Sequence, residues 1–246
     1  MSIVGLTFTT SLGLLHVFAH KLRWIEFIPH KRWLSFGAGV SIAYVFVDIL
    51  PLLSEGQKSF EYSGSSALSG GLSHHVYLIA LLGLAAFYVL ELLASRSRSG
   101  NRGVGLEDQT TANVFWVHVG SFALYNGLLG YLLRESESHG LMTCVLLFVA
   151  LALHFLVNDH ALREHHKTYY DRIGRWLLSA AVVGGYLLGT QFMVGETTIA
   201  ILWAFVAGGL ILNVLKDEVP EHRDTCLWSF LSGIAGYAIL LVAVAH

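Results

Sequence analysis

The chain has 246 residues, 54% of them hydrophobic and 13% charged, with a formal net charge of −2. A soluble domain is about one quarter charged, so this composition, with a mean hydropathy of +0.60, excludes an ordinary soluble core and makes the bilayer the expected solvent. The near-neutral charge leaves no nucleic-acid footprint, and two cysteines, Cys144 and Cys226, make neither a disulfide framework nor a zinc knuckle.

A bilayer core needs about 20 apolar residues per helix. Eight such segments follow in chain order, predicted at 2–20, 35–55, 74–95, 112–133, 141–162, 174–193, 198–216 and 226–246. The first, in MSIVGLTFTTSLGLLHVFAHK, has no charged residue before its apolar run and reads as a membrane helix rather than a cleaved leader. SGSSALSGG, SRSRSGNRGVG and RESESHG punctuate the chain between segments. Lys21, Arg23, Lys31 and Arg32 precede the second segment, Arg96, Arg98 and Arg102 follow the third, Arg163, Lys167, Arg172 and Arg175 follow the fifth, and Lys216 and Arg223 follow the seventh. These are thirteen of the fifteen basic residues, all on one side, with Lys58 and Arg134 opposite. Basic short loops stay cytoplasmic, so an integral protein of the plasma or bacterial inner membrane is expected, with both termini extracytoplasmic.

Two pairs of segments repeat. AGVSIAYVFVDILP (Ala38–Pro51) matches AGGLILNVLKDEVP (Ala207–Pro220), with the Gly39-to-Asp48 gap equal to the Gly208-to-Asp217 gap. LLGLAAFYVL (Leu81–Leu90) matches LSGIAGYAIL (Leu231–Leu240). The second segment runs outward and the seventh inward, so segments 1–3 and 6–8 would be inverted repeats flanking segments 4 and 5. Inverted repeats are a signature of alternating-access transporters.

On these residues, with VDILPLLSE ending the second segment and AGGLILNVLKDEVPE near the cytoplasmic end of the seventh, the chain from about Gly37 onward resembles the ZIP family of metal-ion transporters. The resemblance implies an all-α membrane protein of eight helices in a 3 + 2 + 3 arrangement, a homodimer, and transport of a divalent cation (zinc, iron or manganese) as substrate, without a permanently bound cofactor. It also implies that segments 1, 4, 5 and 6 move against 2, 3, 7 and 8, with a metal site on segments 4 and 5. In FALYNG (Phe122–Gly127), Phe122, Ala123 and Asn126 stand where that family has His, Asn and a carboxylate; in HFLVN (His154–Asn158), His154 is kept while Phe155 and Asn158 replace ligands. The candidate metal residues are therefore His154, Asn158, Asp159 and Asn126.

Membrane-embedded carboxylates mark function more often than not. Asp48, in the outer third of the second segment, is a candidate gate or proton carrier, whereas Glu91, near the inner end of the third, can reach the interface. A cytoplasmic-side cluster is expected from His16, His20, His118, His160, His165 and His166 with Asp159, Glu164 and Asp171, whose bland reading is an interfacial set with wet polar ends. His74 and His75 begin the third segment on the opposite side. Two alternatives stand beside transport. One is a protein of the same fold that carries another substrate or serves as a non-transporting subunit. The other is a haem-binding membrane protein ligated by histidines such as His16, His20, His118 and His154.

Overall fold

The computed structural model describes residues 2–19, 30–62, 75–103, 110–218 and 226–244, and of residues 30, 31, 33, 34, 59–62, 139, 217, 218 and 244 it describes the backbone alone. His20, Lys21, Arg23, His74, Pro220 and Arg223 lie outside the described residues.

Every element among the described residues is helical: α1 (Ile3–Phe18), α2 (His30–Tyr44), α3 (Leu50–Tyr62), α4 (His75–Gly103), α5 (Ala112–Ser136), α6 (Leu141–His166), α7 (Arg175–Gln191), α8 (Glu196–Asn213) and α9 (Leu227–Val244). α2 and α3 are one rod, joined through a π-helical turn at Val45–Ile49. The all-helical expectation is met among the described residues, and each of the eight expected segments overlaps one rod. Five rods are long and apolar enough to cross a membrane: Ser35–Lys58, His75–Gly103, Leu141–His166, Tyr170–Gln191 and Glu196–Lys216. The others fall short for different reasons. The apolar stretches at Ile3–Phe18 and Leu227–Ala243 are shorter. α5 is long, but His118, Ser121, Asn126 and Arg134 interrupt its apolar sequence.

Local chemistry sets the boundaries. The Ser2 hydroxyl accepts from the Gly5 N–H at 2.9 Å and caps α1. Along α1 the hydroxyls of Thr7, Thr9, Thr10 and Ser11 donate to carbonyls four residues back, which satisfies them inside their own helix. α5 and α6 form a tight hairpin through Gly140, whose φ of 106° a side chain would resist. Pro51 has no N–H and would crowd the carbonyl four residues before it; the wider π turn at Val45–Ile49 immediately precedes it. A second π turn at Val214–Glu218 precedes Pro220 at the same offset.

Packing divides the rods into two groups. α5 lies along α7, and α1 lies against α7 and α6; α2 lies along α9 and α4 along α8, with α3 also on α8. Glycines make the close crossings. A Cβ on Gly39 would overlap the Phe230 carbonyl of α9, and one on Gly233 of α9 would overlap the Phe36 carbonyl of α2. A Cβ on Gly83 of α4 would overlap the Phe205 carbonyl of α8, and one on Gly208 would overlap the Ala80 carbonyl of α4. These four are the glycines that the repeat alignment equates, Gly39 with Gly208 and Gly83 with Gly233. The α2–α9 and α4–α8 crossings are therefore counterparts, built by the same residue at the same repeat position. Gly130 and Gly185 do the same work between α5 and α7.

Candidate functional site

A buried polar cluster lies inside the first group of rods, and four elements contribute one residue each. His16 comes from α1, Asn126 from α5, Asp159 from α6, and Tyr170 from the π turn Tyr170–Gly174 that leads into α7. All four are 3% exposed or less. Asp159 Oδ1 lies 2.8 Å from His16 Nδ1 and accepts from the Tyr170 hydroxyl. His16 Nε2 lies 3.1 Å from Asn126 Oδ1. The Asn126 amide nitrogen donates to the Phe122 carbonyl at 2.8 Å, which fixes Oδ1 toward the imidazole. Nε2 therefore carries a hydrogen, and a second hydrogen sits on the Nδ1–Oδ1 line. The Phe155 ring lies on the imidazole, with centroids 4.5 Å apart. Asp159 Oδ2 is buried and has no hydrogen-bond partner among the described residues.

The four sequence-selected metal residues divide here. Asn126 and Asp159 meet through His16. His154 and Asn158 point elsewhere: residues 154 and 159 are about 140° apart around a helix of 3.6 residues per turn. His154 Nε2 lies 3.4 Å from the Tyr125 hydroxyl, and Tyr125 packs on Phe87 of α4 at 5.1 Å. Asn158 is buried with its amide nitrogen unpartnered among the described residues. His154 and Asn158 thus lie toward the other group of rods. Among the described residues no three His, Cys, Asp or Glu side chains converge to hold a metal ion.

The expected histidine cluster also resolves into parts. His16 belongs to the deep network. His118, His165 and His166 gather at the His166 end of α6, where Glu91 is the hub. Glu91 Oε1 lies 2.8 Å from His165 Nε2 and 2.6 Å from Lys216 Nζ, and Oε2 lies 3.7 Å from His118 Nε2. His118 Nδ1 meets His166 Nε2 at 2.9 Å, and His166 Nδ1 meets the Thr110 hydroxyl at 2.5 Å. The bland reading of wet interfacial histidines does not hold for His118 and His166, which are 2% and 0% exposed. This cluster spans the two groups, with Glu91 on α4 and Lys216 after α8 facing His118 on α5 and His165 on α6. Of the remaining candidates, His160 is exposed, Asp171 pairs with Arg163 at 2.9 Å and Glu164 with Arg98 at 3.2 Å. Asp48 lies in the α2–α3 π turn and takes a hydrogen bond from Tyr44.

Sequence reasoning did not single out Tyr170 or Lys216, set Glu91 aside as interfacial, and grouped His16 with the loop histidines. A signal existed for His16. It continues the buried face of Thr9, Leu12 and Gly13, so at helical spacing it had to point inward. Tyr170 offers no comparable pattern.

No protein-family model, no curated protein and no solved structure matches the chain.

Proposed function

We propose that this chain is an integral membrane transporter of the ZIP-like kind that carries a divalent metal cation by alternating access between its two groups of rods, in a 3 + 2 + 3 arrangement with both termini extracytoplasmic. Five long apolar rods support the membrane setting. So do exposed apolar side chains such as Leu82 (62%), Leu124 (67%) and Trp228 (80%), which lipid would cover. The equivalent glycine crossings support the inverted repeat.

One observation carries the cation reading. Asp159 places a carboxylate in the core of the first group with Oδ2 left without a hydrogen-bond partner among the described residues. A buried acceptor oxygen without a donor is costly, and a cation satisfies it. A second reading, a non-transporting subunit of the same fold, draws on the absence, among the described residues, of three converging metal-ligating side chains.

The test is uptake of Zn²⁺, Fe²⁺ and Mn²⁺ into vesicles reconstituted with the full chain. Uptake above empty vesicles that is lost in Asp159→Asn supports transport. Uptake equal to that of empty vesicles for all three ions refutes it and favours the subunit reading.

A further inference from the structure

We propose that the cation site is formed by His16 and Asp159, not by His154 and Asn158, and that it takes a first-row divalent ion through His16 Nδ1 and the Asp159 carboxylate, with the Tyr170 hydroxyl beside them and water completing the shell. This rests on the transport reading and names its site.

The geometry is that of a ligand pair with its orienting partner already in place. A histidine that ligates a metal through one ring nitrogen donates the other N–H to a carbonyl or carboxylate, which fixes the tautomer and the ring plane. His16 does this: Nε2 donates to Asn126 Oδ1 at 3.1 Å, and the Asn126 amide is itself held by the Phe122 carbonyl. The face of Phe155 on the imidazole limits its rotation. Nδ1 is thereby aimed at the carboxylate, 2.8 Å from Oδ1. Two donors at right angles, each about 2.1 Å from an octahedral ion, lie roughly 3 Å apart, close to this separation, and the carboxylate turns off the Nδ1 axis to admit the ion. Oδ2 is the additional acceptor. The hydrogen on the Nδ1–Oδ1 line leaves as a proton when the ion enters.

The donor types set the class. One imidazole with carboxylate, phenol and water suits a first-row transition ion. The hard ions Mg²⁺ and Ca²⁺ favour oxygen ligands throughout, and copper(I) favours sulfur. A single carboxylate also makes a site of modest strength, as a site that must release its ion requires.

Co²⁺ binding to the purified full chain in detergent, followed by its visible absorption band, tests the assignment. One Co²⁺ per chain is expected, with binding lost in His16→Gln and Asp159→Asn and retained in His154→Gln. Asn126→Ala keeps both ligands and removes only the orienting bond. It should weaken binding about 10- to 100-fold, and it decides the matter if His16→Gln does not fold. Binding lost in His154→Gln but unchanged in His16→Gln or Asn126→Ala overturns the site, as does the absence of any Co²⁺ binding. The two proposals fail separately: Co²⁺ held by His16 in a protein that moves no ion leaves the site standing and ends transport. Ion uptake that is indifferent to His16 and Asn126 leaves transport standing and ends the site.

Discussion

Glu91→Gln should loosen the contact between the two groups of rods at the His166 end. The carboxylate meets Lys216 at 2.6 Å and His165 at 2.8 Å, with side chains 14%, 37% and 16% exposed in that order. Removing one partner of a fully buried pair costs about 3–5 kcal/mol, whereas exposed pairs are worth about 0–1 kcal/mol. Glu91 and His165 are mostly enclosed and Lys216 keeps access to water, so the loss falls between, at roughly 2 kcal/mol. For a chain of this size each kcal/mol shifts Tm by about 2–4 °C, so thermal unfolding in detergent, read by far-ultraviolet circular dichroism, should move down by about 4–8 °C. Lys216→Met alone should do less, and the double variant should fall short of the sum by about 1 kcal/mol, because the two side chains share one contact. A Tm within about 1 °C of the parent in both single variants would show that water already screens the hub, and the reasoning would fail.

The repeat makes a sharper demand on glycine. Alanine for glycine inside a helix normally stabilises by about 0.5–1 kcal/mol, and Gly184→Ala, with open space around it, should do so. Gly39→Ala and Gly208→Ala should instead destabilise, each by about 1–3 kcal/mol and by similar amounts, because each Cβ meets a backbone carbonyl at an equivalent crossing; opposite signs in Tm would break the equivalence. The Tyr237 hydroxyl donates to the Leu146 carbonyl at 2.8 Å across the α9–α6 boundary, so Tyr237→Phe should cost about 1 kcal/mol in a denaturation titration, and no change would mean that the bond is not held. The transport reading expects no Soret band from the purified protein, and a band there would restore the haem alternative.

Hydropathy was enough to place the rods, because the apolar runs are bounded by polar, glycine-rich or basic stretches. The Gly39/Gly208 and Gly83/Gly233 matches were legible only as a repeat; the structure makes them crossings, since a residue without a side chain is needed where backbones touch. The site was legible only in part. Asp159 and Asn126 stood out as polar residues in apolar runs, but their partner is 110 or more positions away, and His16 looked like one histidine among several near a helix end. Adjacency in HFLVND was misleading for a simple reason: neighbours on a helix face directions 100° apart, so Asn158 and Asp159 serve different surfaces. Glu91 looked interfacial because depth in a single helix does not say what packs over it. Lys216 sits in a π turn, and the added residue in such a turn changes the side-chain phase that a regular helix would give.

The glycine crossings also bear on what constitutes a folding unit. Gly39 finds its partner surface on α9 and Gly83 on α8, so each crossing joins one triplet of rods to the other, and neither triplet closes on itself. Residues 1–103 made alone would leave two glycine-lined grooves uncovered. The surface that fills them is a triplet of the same sequence pattern. Each half is thus completed by the other, and cutting the chain between them should leave fragments that reassemble when made together.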